Sequence, residues 1–333
     1  MSAAPAALDQ TGGRATPTLA TSPHLHGWWT TPRMMWAVVA ALVPSLAAGL
    51  AFFGWQAAGV PLAAVAGSAA AEAAINRWRK LPFTLGDGSA VLTGLLLGLI
   101  LPPSLPLWMA GLGGIVSIGL GKAVFGGLGM NIFNPALVGR AFMQAAFPVS
   151  MTTWAANRLA ADAVSAATPL ALVKFREPGL GAVEVAPPIR DLFLGTIPGC
   201  LGETSALAIL IGGGALLLLK VANWRTPLAM AAGAALFGGA LWACNPAQYP
   251  HPLFHLLSGG FLFGALFMAT DLVTTPITGR GMAIFGFGAG FLTVLIRLFG
   301  GLPEGVMYSI LIMNAAVPLI NRWMRPRIFG AAR

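Results

Sequence analysis

Long apolar runs separated by short polar segments fill most of this chain. Runs of about 20 apolar residues are long enough to cross a bilayer as helices. The pattern predicts helices near residues 34–55, 58–75, 89–101, 106–121, 131–147, 195–219, 227–243, 252–270, 281–300 and 303–321. We therefore expect an all-α polytopic membrane protein with about ten transmembrane helices.

The composition supports a membrane location and argues against a soluble domain. Hydrophobic residues make up 57% of the chain and charged residues only 9%, where soluble domains carry about 25% charged residues. The 43 glycines suit the close helix contacts that form in lipid. The net charge of +9 comes from short basic clusters between apolar runs, which is typical of topology signals and not of a nucleic-acid-binding surface.

These basic clusters predict the orientation of the chain. Alternating the ten helices across the bilayer places Arg33, the basic cluster at residues 77–80, Arg225 and Arg280 on one side. That side is expected to be the cytoplasm, with cytoplasmic tails at residues 1–33 and 322–333. The segment 148–194, in which acidic and basic residues balance, is then a folded extracytoplasmic loop. The chain is expected to be a multi-pass protein of the bacterial inner membrane.

An internal repeat relates residues 34–147 to residues 195–321. Phe-Gly-Gly-Leu at 125–128 returns at 299–302, and Asn134 has a counterpart in Asn314, at a spacing of roughly 170–180 residues. Chance similarity between apolar helices is the alternative. If the repeat is genuine, each half holds five helices, and the halves cross the bilayer in opposite directions. Inverted repeats of this kind frame a midplane site in many transport proteins.

Ionisable residues within or beside the apolar runs are the first candidates for function, because a charge at membrane depth is costly unless it is paired or hydrated. The most informative is Asp271, which ends one predicted helix and precedes the irregular polar turn Thr274-Thr275-Pro276. It either borders a functional cavity or caps the helix. The other candidates are Glu72, Asp87, Lys122, Arg140, Glu203, Arg297 and Glu304.

Two hydroxyl side chains stand out in the predicted extracytoplasmic loop. The segment 165–170 reads Ser-Ala-Ala-Thr-Pro-Leu, and Pro169 disfavours the helical region for Thr168, so that the threonine side chain can stand clear of the backbone. Spacing alone favours a capped turn in a water-exposed loop.

Four motifs give the chain a family resemblance. They are Phe-Gly-Gly at 125–127, Asn-Ile-Phe-Asn-Pro-Ala-Leu at 131–137, Ser-Ala-Ala-Thr-Pro-Leu at 165–170 and Phe-Met-Ala-Thr-Asp at 267–271. Together they resemble the D-type membrane subunits of Rnf-type electron-transport complexes, which are similar to the B-type subunits of the sodium-translocating NADH:quinone oxidoreductase. The resemblance covers the chain from about residue 33 to residue 322.

The resemblance implies a covalent flavin. In that family the threonine of an S/T-G-A-T pattern carries FMN through a phosphoester bond made by a separate flavin transferase. Thr168 matches this threonine, and Ser165, Ala167 and Leu170 surround it in the motif. Ala166 departs from the pattern, which has glycine there. A second, non-covalent flavin such as riboflavin is also compatible with the family.

The resemblance further implies an enzyme component that relays electrons between ferredoxin and NAD, coupled to Na+ or H+ movement. Its expected partners are the B, C, A, E and G types of Rnf subunit and the lipid bilayer. Lys122 followed by Ala123, and a short segment before the first helix, favour the Rnf branch. The alternatives are a B-type component of the quinone reductase, a channel or secondary transporter without redox function, and a scaffold for partner proteins.

Overall fold

A computed structural model describes residues 28–154, 167–177 and 180–325, and within these ranges every regular element is helical. The chain divides into an N-terminal unit, residues 1–30, and a body that runs from Thr31 to Arg333. The fold described below is that of the body.

Fifteen α-helices, numbered in chain order, build the described part of the body. They are α1 (Thr31–Phe53), α2 (Gly59–Trp78), α3 (Ser89–Leu99), α4 (Leu107–Ile118), α5 (Pro135–Ala146), α6 (Pro148–Thr152), α7 (Pro169–Lys174), α8 (Ala182–Val185), α9 (Ile189–Leu194), α10 (Ala206–Leu218), α11 (Arg225–Cys244), α12 (Pro252–Leu257), α13 (Phe261–Phe263), α14 (Gly279–Phe299) and α15 (Val306–Trp323). Short π-helices, Gly119–Ala123 and Gly264–Met268, continue α4 and α13.

Four helical segments of the described body are long and apolar enough to cross a membrane. They are Thr31–Phe53, Trp55–Trp78, Arg225–Cys244 and Gly279–Phe299. Shorter apolar helices, including Ser89–Leu99, Leu107–Ala123 and Ala206–Leu218, accompany them. The prediction of an all-helical, multi-pass membrane protein is confirmed.

Two of the predicted helices differ from the structure by much more than a few residues at an end. The apolar run 195–219 contains a helix only from Ala206, because Pro198, Gly199 and Gly202 precede the capping residue Ser205, whose hydroxyl accepts a hydrogen bond from the Ala208 N–H. The run 252–270 is broken at Gly259, whose φ of +60° is a left-handed conformation that favours glycine. Both breaks bring irregular backbone into the core.

Glycines allow the longest helices to pack backbone against backbone. A Cβ atom at Gly290 of α14 would overlap the carbonyl oxygen of Met230 in α11, and one at Gly233 of α11 would overlap that of Phe287. Helices α2 and α4 approach each other in the same way at Gly114, where an added Cβ would overlap the Ala64 carbonyl oxygen. Small residues at helix contacts are the usual means of association in lipid.

The first and second halves of the chain meet at two buried asparagines. Asn134 caps α5, where its side chain accepts hydrogen bonds from the N–H groups of Ala136 and Leu137. Its own N–H donates to Oδ1 of Asn314 in α15 at 3.2 Å. The Asn314 amide in turn donates to the Thr274 carbonyl at 3.0 Å. The two asparagines therefore hold the start of α5, the middle of α15 and the turn after residue 271 in a fixed arrangement.

Candidate functional site

Thr168 is the capping residue of the short helix α7. Its backbone is extended (φ −69°, ψ 155°), as expected for a residue before proline, and its Oγ1 accepts a hydrogen bond from the Ala171 N–H at 3.2 Å. The side chain is partly exposed, Ala167 before it is exposed, and Pro169 and Leu170 after it are buried. Burial of Pro169 and Leu170 anchors the threonine at the start of the helix. Ser165 lies outside the described residues.

Helix α7 is fastened to the membrane-spanning body by a lysine. The Lys174 ammonium donates hydrogen bonds to the carbonyl oxygens of Arg297 and Leu302, both at 2.8 Å, and to that of Ile296 at 3.4 Å. These carbonyls lie at the end of α14 and in the loop behind it, where unpaired backbone acceptors are expected. Loss of hydration lowers the pKa of Lys174. The attachment fixes the position of Thr168 relative to α14 and α15.

A cavity of about 620 Å³ is lined by Ala167 and Ala171, the residues on either side of the Thr168-Pro169-Leu170 segment. Its size lies within the range of small-molecule and cofactor sites, about 300–1,000 Å³. Apolar and aromatic side chains form most of its surface, and a few polar groups lie among them. The lining residues are Arg140, Gln144, Met151, Thr152, Thr153, Trp154, Ala167, Ala171, Phe175, Gly301, Leu302, Pro303, Glu304, Met307 and Tyr308.

Two ion pairs, one buried and one partly buried, lie against this cavity. Arg140 of α5 pairs with Glu203 at 2.9 Å, and each side chain is only 8% exposed. Arg297 of α14 pairs with Glu304 at 3.2 Å and also donates to the carbonyl oxygens of His255 and Ser258. Because Arg140 and Glu304 both line the cavity, charges of both signs face its interior.

A smaller pocket of about 50 Å³ connects Thr168 to the same charges. Thr168, Arg140, Glu203 and Glu304 all contribute to its surface, together with the buried thiol of Cys200. The Cys200 thiol donates to the Ile100 carbonyl at 3.0 Å, and its Sγ lies 3.8 Å from Nη2 of Arg140. The threonine hydroxyl and the Arg140–Glu203 pair thus belong to one site.

A second polar site adjoins Asn134. Lys122 pairs with Glu72 at 2.8 Å and donates to the Ser89 hydroxyl at 2.7 Å. A narrow cavity of about 100 Å³ runs beside Lys122, and Asn131, Asn134 and Asp271 form part of its wall.

Asp271 lies in the turn that follows the π-helix Gly264–Met268. Its carboxylate accepts hydrogen bonds from the Val273 N–H at 3.2 Å and from the Thr274 hydroxyl at 3.1 Å, so that it organises the turn after the helix. It also borders the narrow cavity near Lys122.

The sequence did not predict the pairing of the buried charges. All of Glu72, Lys122, Arg140 and Glu203 were candidates because of their apolar surroundings, but the partners are 50 and 63 residues apart in the chain. The spacing of residues along the sequence therefore could not have predicted which charges form a pair. The general rule that buried charges are paired was the only available signal.

Comparison with known proteins identifies the family. The model of the NQR2, RnfD, RnfE family matches residues 18–330. The chain belongs to this family. The resemblance inferred from the four sequence motifs is therefore confirmed, and the match extends over the whole described body.

Curated relatives of this family member are similar over almost their full lengths. The chain is 41% identical over 327 residues to the D component of the proton-translocating ferredoxin:NAD(+) oxidoreductase complex of Clostridium ljungdahlii, covering 95% of this chain and 97% of the relative. It is 42% identical over 318 residues to the Na(+)-translocating counterpart of Acetobacterium woodii, with 95% and 96% covered. The D component of an ion-translocating oxidoreductase complex of Escherichia coli is 38% identical, with 94% and 98% covered.

Proposed function

We propose that this chain is the D-type membrane component of an ion-translocating ferredoxin:NAD oxidoreductase complex and that it carries FMN on Thr168. The observation that carries the proposal is the position of Thr168, which lines a pocket of about 50 Å³ together with Arg140. Arg140 also lies in the wall of the cavity of about 620 Å³, which Ala167 and Ala171 line beside the threonine. The names of the relatives support the enzyme class, since they are D components of proton- or sodium-translocating complexes.

The residues around Thr168 fit a flavin joined through its phosphate. Trp154, Phe175 and Tyr308 give the cavity aromatic surface against which a planar ring system can pack. Arg140 and Gln144 supply hydrogen-bond donors among the apolar walls. Bound in this way, FMN would supply the electron-transfer chemistry, and the chain would supply position and electrostatics.

Arg140 has the clearest electrostatic role in this arrangement. Its guanidinium is always protonated, lies in a wall of the cavity, and is held in place by the buried Glu203 carboxylate. A fixed positive charge in a low-dielectric site favours added negative charge nearby. Arg140 would therefore offset the negative charge of Glu203 and Glu304, so that a reduced cofactor would be less destabilised than if the two carboxylates stood alone at the site.

The proposed topology has ten crossings in two inverted halves, with Thr168 on the extracytoplasmic side and both termini in the cytoplasm of a bacterial cell. Similar glycine-mediated packing of α2 on α4 and of α11 on α14 supports two related halves. So does the contact between Asn134 and Asn314, the two asparagines that the sequence repeat pairs.

The narrow cavity that contains Asp271 is the proposed entry for Na+ or H+, because it combines a carboxylate with amide and hydroxyl oxygens at membrane depth. A second, non-covalent flavin such as riboflavin remains part of the proposal without assigned residues. The partners would be the B, C, A, E and G types of Rnf protein, and a flavin transferase would attach FMN during maturation.

The attachment site is tested in the purified complex, separated on a denaturing gel and viewed under ultraviolet light. Thr168→Ala is expected to abolish flavin fluorescence from this chain. Thr152→Ala and Thr153→Ala, which change two exposed threonines in the wall of the same cavity, are the matched controls and should keep it. A fluorescent band in the Thr168→Ala variant would contradict the assignment. Absence of flavin from the native complex, with solute uptake by this chain alone, would favour the transporter alternative.

A further inference from the structure

A groove of about 650 Å³ lies outside the helix bundle, where α11 and α14 begin side by side. Trp224, Arg225 and Leu228 form one wall, and Gly279, Arg280 and Ala283 form the other. Both helices are long and apolar enough to cross a membrane, so their first turns lie at a membrane surface. The groove belongs neither to the cavity at Thr168 nor to the site near Asp271.

Two arginines, Arg225 and Arg280, give the mouth of the groove a positive charge. No carboxylate in residues 28–154, 167–177 or 180–325 forms an ion pair with Arg225 or Arg280. Neither helix has an acidic residue in its first turn, although helix N-termini favour negative charge. Nη1 of Arg225 lies 2.9 Å from the position that a Cβ would take on Gly279, the first residue of α14. A cation is thus held against the positive end of a helix, an arrangement that a bound anion would relieve.

Below the arginines the groove is apolar. Leu228 is 60% exposed and Trp224 is 57% exposed, and Ala229, Ala232 and Ala283 continue the surface along the two helices. The Trp224 ring lies 5.5 Å from the Arg225 guanidinium carbon, and tryptophan is enriched at the level of lipid headgroups. The ligand that matches both parts has an anionic head and a hydrocarbon chain.

Another tight helix pair, formed by α2 and α4, lacks this charge. Helices α2 and α4 also begin side by side, with Gly59 close to Leu107, but their first turns read Gly-Val-Pro-Leu and Leu-Trp-Met-Ala. Close packing of two glycine-containing helices therefore does not by itself require arginines at the mouth. The two arginines are a separate feature of the α11–α14 pair.

We propose that the groove binds an anionic phospholipid, with its phosphate between Arg225 and Arg280 and an acyl chain along Leu228 and Ala232. Basic pockets between transmembrane helices recognise anionic headgroups in this way on the cytoplasmic side. The proposed orientation places the start of both helices on that side. The site requires only that the chain spans the membrane, so it does not depend on the flavin assignment.

The test is native mass spectrometry of the purified complex after exchange into detergent that contains equal amounts of phosphatidylglycerol and phosphatidylcholine with identical acyl chains. The wild-type complex is expected to retain phosphatidylglycerol selectively. The double variant Arg225→Gln/Arg280→Gln should lose this selectivity, while Arg190→Gln, which removes an exposed arginine on α9, should keep it. Equal retention by the double variant and the wild type would overturn the proposal.

A second variant covers the case in which the double variant does not assemble. Ala232→Phe leaves both arginines in place and adds bulk to an exposed position within the groove. It is expected to displace the lipid, which requires the apolar part of the site. Two results would show that only the charged head is recognised and would refute the proposed lipid. One is selective retention of phosphatidylglycerol by the Ala232→Phe variant. The other is loss of that retention when glycerol phosphate is added at the same concentration as the lipid. A partner protein that occupies the groove in the intact complex would leave no selective retention in the wild type and would also refute it.

Discussion

Removal of Arg140 would leave the Glu203 carboxylate buried without its partner. The two groups lie 2.9 Å apart, and each side chain is 8% exposed. At an effective dielectric constant of about 20 their attraction at this distance is about 6 kcal/mol. Part of this attraction is offset by desolvation, and breaking such a pair from one side typically costs about 3–5 kcal/mol. We expect Arg140→Met to destabilise this region by that amount.

The double variant Arg140→Met/Glu203→Gln should recover most of the loss. Met has a similar length to the arginine stem, and Gln retains hydrogen-bonding capacity without a charge, so neither side chain would leave a buried ion alone. The comparison therefore separates the cost of an unpaired charge from the cost of changed packing. Arg190→Met, at an exposed arginine, should change stability by no more than about 0.5 kcal/mol.

The buried thiol of Cys200 reports on the stability of this region. Its Sγ lies 3.8 Å from Arg140, and the residue is only 2% exposed, so a thiol reagent reaches it only when the structure opens. A loss of about 3–5 kcal/mol corresponds to alkylation that is roughly 10²–10⁴-fold faster. Cys244, which is exposed, gives the reference rate within the same chain. The reasoning fails if Arg140→Met changes the Cys200 rate by less than tenfold, or if Glu203→Gln does not restore it.

Two further predictions concern packing and ion movement. Gly290→Ala should destabilise the protein by about 1–3 kcal/mol, because the added Cβ would overlap the Met230 carbonyl oxygen. Gly214 has open space around it, so Gly214→Ala should be neutral or slightly stabilising. Equal thermal midpoints for the two variants would contradict the packing. Asp271→Asn should reduce the amount of Na+ or H+ that the complex, reconstituted in vesicles, takes up for each electron transferred, while the covalent flavin is retained. Unchanged uptake would remove Asp271 from the proposed ion route.

The membrane-spanning helices could be predicted where an apolar run ends at charges or breakers. The predicted helix 227–243 corresponds to α11, Arg225–Cys244, and the predicted helix 281–300 corresponds to α14, Gly279–Phe299. In these cases hydrophobicity and helical length coincide, since the helix must satisfy its own backbone within lipid. Pattern and structure therefore give nearly the same bounds.

Hydrophobicity did not predict the helix bounds correctly where apolar residues are buried in non-helical segments. Residues 195–205 were predicted to continue the helix that starts at Ala206 because Ile197, Cys200 and Leu201 are apolar. These side chains are buried by packing against the rest of the protein, while Pro198 and the neighbouring glycines prevent a regular helix. Composition alone does not distinguish a buried turn from a spanning helix.

The candidate site was only partly accessible from sequence. The motif around Thr168 supplied one residue through a family resemblance, and the apolar surroundings of Arg140 and Glu203 indicated that both need partners. The cavity itself depends on α5, α7 and α15 meeting in space, and Tyr308 and Trp154 carry no local signal of their place in its wall. Tertiary contacts between distant segments decide such features, so no single-sequence pattern encodes them.

The covalent attachment is tested most directly by the intact mass of this protein, isolated from the native complex, followed by peptide mapping. The account predicts a mass increase equal to FMN less one water, located on the peptide that contains Thr168 and absent from the Thr168→Ala variant. An unmodified mass in an active complex, or FMN found on a different residue, would contradict it.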